Sequence, residues 1–444
     1  MTPSTYDVVL VGGGVMGSAT AYHLLRADAR LRVALIEQDP TYARASTTLS
    51  DGNMRVQFNI KENIQMSLYG LEVLARFGDE FAVDGDRPDP GFRQQGNLFV
   101  IDEASHDETR DGLAQQQRLG GMVEWLAPEQ VRAAYPLYEN LDGCVGGTLG
   151  RQDGTMSPLA VLQAYRKKAI ALGARFIQAE VAEVLRDGGR AAGVALASGE
   201  RLSAPAVVNS AGPWASRVAH TAGVRLPVSP TKRQVTTVEV AARPGHILPA
   251  LFFPSGLYCI HEGGGLFMIG KSFPDDPVGL EDFSWERRRF EELIWPELVE
   301  LMPSFDRLKI TGGWAGLYEV NTFDGNAILG EWPELPGFYL ANGFSGHGFQ
   351  QCHAVGRYTA ELILGRPHAL DLAVFAASRI LENRPAYESR RKLSESLFEK
   401  GCARAMPSHS LLAGGGHECG RRPPEKVDIL EGLRPSKPPF SDSF

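Results

Sequence analysis

The sequence predicts an α/β protein: a domain founded on a βαβ unit, with a second, α+β domain built on an antiparallel sheet inserted into it. Three observations predict this. The chain opens on a fully apolar run, Val8–Val11, that breaks into Gly12-Gly13-Gly14-Val15-Met16-Gly17 and then enters helix-forming residues 19–26. Apolar runs of the kind that suit buried parallel strands recur at 32–36 and at Ala206–Asn209. Between about 225 and 313 the pattern changes to alternating strands, among them 235–240 and 265–269, and a charged helix at 285–301. A length of 444 residues accommodates two domains, or one domain carrying a large insertion.

Between these landmarks the other elements follow in order. Residues 92–100 read as strand around a glycine, and 126–135 as a short helix that starts near Pro128. Residues 157–172 are strongly helical, with Ser157 as N-cap and Pro158 in the first turn, and Gly173-Ala174 closes them. Residues 175–185 are strand-like, and a last helix runs from 348 to about 364. The first domain is accordingly expected from 1–90, 146–224 and 314–384, and the inserted one from 91–145 and 225–313. Residues 385–444 are rich in Pro, Gly, Ser and charge; they lack the apolar residues to offset their ordering entropy, so disorder is expected there.

Composition narrows the function classes. With 43% hydrophobic and 22% charged residues and a net charge of −8, the chain offers no basic surface, so nucleic acid is excluded as a partner. The five cysteines (Cys144, Cys259, Cys352, Cys402, Cys419) form no CxxC pair, which argues against a zinc site and a disulfide framework; no metal is expected. No secretory pattern precedes Val8 and no long charge-free apolar run occurs, so the expectation is a cytoplasmic protein with no membrane span.

Gly12-x-Gly14-x-x-Gly17 follows a strand and opens a helix, and Glu37 lies twenty residues beyond Gly17. In such a Rossmann-like unit Gly12 permits the tight turn and Gly14 admits a pyrophosphate to the helix N-terminus. Gly17 allows close helix–strand packing, and Glu37 accepts ribose hydroxyls. The charge of Glu37 argues against a 2′-phosphate. The motif predicts a dinucleotide and leaves FAD and NAD both open.

Several further segments carry a resemblance: Ala45-Ser46-Thr47 with Gly52-Asn53-Met54-Arg55, Gly150-Arg151-Gln152-Asp153-Gly154, Asn209-Ser210-Ala211-Gly212-Pro213-Trp214, and Gly343 through Gln350. With the glycine fingerprint, and in this order, they resemble the D-amino-acid-oxidase superfamily of flavoproteins over residues 6–379, nearest to sarcosine oxidase and dimethylglycine dehydrogenase-like enzymes. The resemblance implies a glutathione-reductase-type FAD domain with an inserted substrate domain. Beside Gly12, Gly14, Val15, Met16, Gly17, Glu37 and Gln38 it implies that Ser46, Thr47, Gly52, Asn53 and Arg55 lie along the cofactor. Val181 meets the adenine, and Ala211, Gly212, Trp214 and Gly316 pack against the dinucleotide. Gly343, Ser345, Gly346, His347, Gly348, Phe349 and Gln350 pass the flavin ring. That last placement has a physical rationale: a helix N-terminus stabilises the negative charge of a reduced flavin.

Flavin-dependent amine oxidation needs orientation and electrostatics more than acid–base machinery. The resemblance therefore names Arg55, Tyr258, His347 and Gln350 as catalytic-site residues, while a surface ion pair, a core tyrosine and a structural histidine are the bland readings of the first three. Trp314 and Tyr318 border the same return segment and read as core packing or cavity lining. Four positions depart from the sarcosine oxidase pattern. Gln350 replaces a lysine that holds the substrate carboxylate, and Phe58 replaces a second arginine. Gly316 stands near the flavin-tethering cysteine, so non-covalent FAD is expected. Met268 stands near a lysine linked to oxygen reactivity, with Lys271 three residues on. These departures put sarcosine itself in doubt and leave oxygen and another electron acceptor equally open. The expected function is oxidation of a C–N bond of a small amine or amino acid. Two alternatives stand beside it. One is a flavoprotein subunit or assembly factor with little turnover and partner subunits; the run from Gly343 to Gln351 also resembles a respiratory-complex assembly oxidoreductase. The other is an NAD-linked dehydrogenase, which predicts a colourless protein.

Overall fold

In the computed structural model, which describes residues 4–388, the centre is a six-stranded sheet. Its order is Ile328–Glu331, Phe338–Asn342, Ala206–Asn209, Val8–Val11, Val33–Glu37, Arg175–Gln178, parallel throughout except for the first strand at the edge. The central strands are apolar on both faces because both are covered. Val8 and Leu10 face the helices Val15–Ala27, Pro158–Ala171 and Gly348–Ile363. Val9 and Val11 face a four-stranded sheet (Ser4–Thr5, Arg201–Ser203, Arg190–Leu196, Val181–Asp187) and the helix Ala215–Thr221. Each fully buried Val or Leu contributes roughly 1.5–3 kcal/mol.

A second large sheet has eight strands, in the order Lys309–Asn321, Val228–Glu239, Leu266–Gly270, Tyr258–Gly263, Ala250–Phe252, Asn97–Asp102, Cys144–Gly150, Val123–Leu126. Every pairing given by its register is antiparallel except the one between Ala250–Phe252 and Asn97–Asp102, which is where the two sequence segments of the sheet meet. Phe290, Ile294, Leu298 and Phe305 pack against its Val238, Leu251 and Phe267. The expected fold class, a Rossmann-like α/β unit with an inserted sheet, is what the chain adopts.

Several details depart from the sequence expectation. The first helix begins at Val15 rather than 19, since Gly14 already serves as N-cap. Residues 175–185 divide at Ala179-Glu180 into two strands that join different sheets. The charged segment 285–301 is helical from Arg287, with a π turn at Phe290–Ile294 just before Pro296, whose missing N–H precludes an ordinary turn. Helices Lys61–Ala75 and His106–Arg118 had no sequence expectation. Two expected segment boundaries, 145/146 and 313/314, fall inside the strands Cys144–Gly150 and Lys309–Asn321. Of the segment expected to be disordered, residues 385–388 are packed: Asn326 Nδ2 donates to Ala386 O (2.7 Å) and Asn59 N donates to Glu388 Oε2 (2.6 Å). Residues 389–444 lie outside the described residues.

Candidate cofactor cleft and adjoining chamber

Gly12 turns the chain out of the first strand at φ +101°, and a Cβ there would lie 2.4 Å from Ser210 O. A Cβ on Gly17 would lie 2.0 Å from Gly12 O, so Gly17 lets the Val15 helix sit against the strand and its own surface is covered. Gly14 differs: a Cβ there would meet only Thr47 Oγ1, at 3.5 Å, and otherwise face open space. The glycine turn is braced by Glu37, whose Oε2 accepts from Gly13 N (2.9 Å) and Oε1 from Asp39 N (2.8 Å). Burial pushes the Glu37 carboxyl above its ordinary pKa.

Gly14 opens on a cleft. Of the residues the sequence assigned to the cofactor, Gly12, Gly14, Val15, Met16, Glu37, Gln38, Ser46, Thr47, Val181, Ala211, Gly212, Trp214, Gly346, Gly348 and Phe349 line it. Tyr318, for which cavity lining was one of two readings, lines it as well, as do Ser210 and Pro213 from the quoted segment Asn209–Trp214. Asp39, Tyr42, Arg44, Ser50, Arg217 and Glu319 line it too and were missed; nothing in the sequence points to Glu319 or Arg217.

The remaining assigned residues are not among those lining the cleft. Gly52 is held at φ +74°, where a Cβ would lie 2.1 Å from Met156 O. Asn53 exchanges amide hydrogen bonds with Asn97 at 2.9 Å. Gly316 packs on Leu49. Gly343 N donates to Glu319 Oε2 (3.1 Å), and Ser345 Oγ accepts from Asn321 N (2.9 Å). Arg55, His347 and Gln350 form a group of their own.

Two helix N-termini, of Val15–Ala27 and Gly348–Ile363, meet the cleft. Neither N-cap residue supplies a side-chain bond and neither first turn is acidic, although Val15 N donates to Thr47 Oγ1 (3.3 Å). The positive dipole ends of both helices face the same space, which suits a ligand carrying negative charge at two places. Glu319 is the counterweight. It sits in the wall with no cation paired to it among the described residues, and burial pushes its carboxyl up to about 8.

Beyond the residues that line the cleft, a cluster of aromatic rings surrounds Arg55. The Arg55 guanidinium stands 4.6 Å from the Phe58 ring centre and 5.3 Å from that of Phe99. Phe99 stacks on Phe252 (4.5 Å), and Phe252 meets Tyr258 (5.9 Å). Arg55 is positioned from the Gly348 helix: its N–H donates to Gln350 Oε1 (2.8 Å), and its Nη2 is 3.0 Å from His347 Nε2. The structure thus brings Arg55, His347 and Gln350 together, while Tyr258 is linked to Arg55 only through Phe252 and Phe99. Tyr318, whose ring packs where a Gly346 Cβ would be, lines the cleft. Trp314 Nε1 donates to Leu49 O (2.9 Å), a packing role. Lys271 is bound to Glu297.

A family model described as FAD dependent oxidoreductase (DAO) matches residues 7–362. The chain belongs to the DAO family of FAD-dependent oxidoreductases. This decides between FAD and NAD in favour of FAD. The DAO-family protein is 35% identical over 432 residues to FAD-dependent oxidoreductase domain-containing protein 1 of Bos taurus, covering 87% of each chain. It is 27% identical to human mitochondrial sarcosine dehydrogenase over 96% of its own length and 47% of that protein. In fold it matches L-proline dehydrogenase from P. horikoshii with a TM-score of 0.76, covering 86% of this chain and 100% of that one at 24% identity. The cleft fits the family's cofactor: Gly14 leaves room for a pyrophosphate beside a helix N-terminus, and the second N-terminus, at Gly348, faces the same cleft.

Proposed function

We propose that this flavoprotein oxidises a C–N bond of a small amine or amino acid, giving an imine that hydrolyses to a carbonyl product. The observation that carries the reading is Arg55, set among aromatic rings and bonded to His347 and Gln350 where the Gly348 helix meets the cleft. FAD supplies the hydride acceptor. The backbone at Gly14, Val15 and Met16 would hold its pyrophosphate, Glu37 and Gln38 its ribose, and Val181 its adenine. Ser46, Thr47, Ala211, Gly212 and Trp214 would line the remainder, without a covalent attachment. N–H groups at Gly346, Gly348 and Phe349 would stabilise the charge of a reduced flavin. Arg55 binds a carboxylate or other electron-rich group of the substrate, with His347 and Gln350 fixing its position. Phe99, Phe252 and Tyr258, all from the eight-stranded sheet, exclude water. The substrate unit is thus that sheet, and the electron acceptor is oxygen or another oxidant.

Phe58 and Gln350, where sarcosine oxidase-like enzymes carry cations, favour a second reading: a flavoprotein subunit with little turnover of its own. One experiment separates the two. The purified protein is examined for bound flavin, and amines and amino acids are then added without air. Bleaching by one of them is the expected result; a yellow protein that none of them bleaches refutes the first reading and favours the second.

A further inference from the structure

Residues 282–286 form an irregular strap between the strand Leu266–Gly270 and the helical segment that starts at Arg287, and none of them has a role in the reaction proposed above. Residues 282, 284, 285 and 286 are tied down to the eight-stranded sheet. The Lys232 ammonium, on a side chain only 1% exposed, donates to Asp282 Oδ2 (2.7 Å), Ser284 Oγ (3.2 Å) and Glu286 Oε1 (2.8 Å). Glu286 N donates to Gln234 Oε1 (2.6 Å) and Trp285 Nε1 to Thr236 Oγ1 (3.2 Å), with the Trp285 ring packed where a Gly313 Cβ would be. Phe283 is the exception. Its ring meets Trp214, 6.5 Å away between centres and 15° from parallel, and the Arg44 guanidinium at 5.8 Å. Both partners line the cofactor cleft, and they come from separate segments of the Rossmann-like unit. Arg44 makes no hydrogen bond or ion pair among the described residues, although Asp39 feels its charge, so its donors are open to a ligand.

We infer that Phe283 is a cofactor-retaining residue supplied by the inserted sheet: its ring clasps Trp214 and Arg44, the two cleft residues it touches, and thereby slows the departure of bound FAD. FAD is the cofactor of the family, so this holds whichever substrate is oxidised. The strap is built to present that one ring. Lys232, Gln234 and Thr236 alternate along the strand Val228–Glu239, which puts them on one face, and they hold the residues on both sides of Phe283. The position of the ring is therefore set by the sheet and not by the cleft. The ring is only partly buried, so it does not serve as core. Its two partners are an aromatic side chain and a cation, each of which an aromatic ring attracts in its own right. Side chains fixed in this way before the ligand arrives lose less freedom when it binds, which strengthens binding.

The test uses the full-length, FAD-loaded protein, and follows release of FAD by its fluorescence after dilution. Phe283→Ala is expected to release FAD roughly 10-fold faster than wild type, the combined worth of an aromatic pair and an exposed cation–π contact. Phe283→Tyr keeps the ring and is expected to release FAD at the wild-type rate. Lys232→Met frees the strap while leaving Phe283 in place, and is expected to speed release as well. Combined with Phe283→Ala it adds little, since both changes undo one clasp. Melting of the apoproteins supplies the control: a merely structural role lowers the melting temperature of Phe283→Ala apoprotein and leaves the release rate alone. Release from Phe283→Ala at the wild-type rate overturns the assignment, and so does faster release that Phe283→Tyr shares.

Discussion

Gly14 shows how much can depend on one missing side chain. A Cβ there touches only Thr47, but the branches of a valine would occupy the space beside the helix N-terminus. Gly14→Val is expected to lower flavin content to about a tenth of wild type or less, since a blocked pyrophosphate forfeits its N–H contacts; normal yellow colour in the variant would remove the cofactor from this cleft. Arg55→Ala is expected to keep its flavin and lose about 10- to 100-fold in the rate of flavin reduction, the worth of a charge-assisted contact. An unchanged rate takes Arg55 out of the site. Glu319 gives a pH signature. Its folded-state pKa is raised by burial from 4.5 to about 8, so its contribution to stability is fully present below the ordinary value and is lost as pH rises through the higher one. The apoprotein should therefore melt at lower temperature at pH 8.5 than at pH 5.5, with all other groups acting in parallel, and Glu319→Gln should flatten that difference by a few degrees. Melting curves of the two proteins across that range decide it.

At the scale of elements, the cleft depends on two helices that cross closely. A Cβ on Gly356 of the Gly348 helix would lie 2.6 Å from Ala19 Cβ of the Val15 helix and 3.0 Å from Thr20 N. Because both helices present their N-termini to the cofactor, a bulky residue at the crossing displaces two anion-stabilising ends together. Gly356→Leu is expected to cost about 1–3 kcal/mol in stability and to weaken flavin binding, although residue 356 lies two turns from the cleft. Fluorescence titration with FAD checks it: unchanged affinity in a destabilised variant would separate packing from binding. The strands show the same dependence on context. Residues 175–185 read as one strand because apolar and β-branched residues run through them, yet Val181 lines the cleft only because the chain crosses between sheets at Ala179-Glu180.

One strand of the larger sheet reaches into the cleft of the Rossmann-like unit. Lys309–Asn321 is the edge of the eight-stranded sheet, and it also brings Leu317 O to Ser46 Oγ (2.6 Å) and Tyr318 and Glu319 to the cleft. Cofactor binding therefore ties the sheet to the Rossmann-like unit. FAD at about 100 times its Kd should add roughly 2.7 kcal/mol to apoprotein stability and raise the melting temperature in a concentration-dependent way. A melting temperature indifferent to FAD would mean that the cleft is not a site for it.

What the sequence determined by itself is local. The fingerprint from Gly12 to Gly17, Glu37 at its distance, and the apolar strands at Val8–Val11 and Ala206–Asn209 are fixed by spacing and period, and they led directly to the βαβ core and its cleft. The grouping of Arg55 with His347 and Gln350 was legible only through resemblance, because nearly three hundred residues separate them. Glu319 and Phe252 were not legible at all. A carboxylate in a strand looks like solvated surface until the tertiary structure encloses it, and a phenylalanine looks like core until it stacks with the rings around Arg55. Burial, unpaired charge and enclosure belong to the packed chain, since each depends on what distant segments place around a residue.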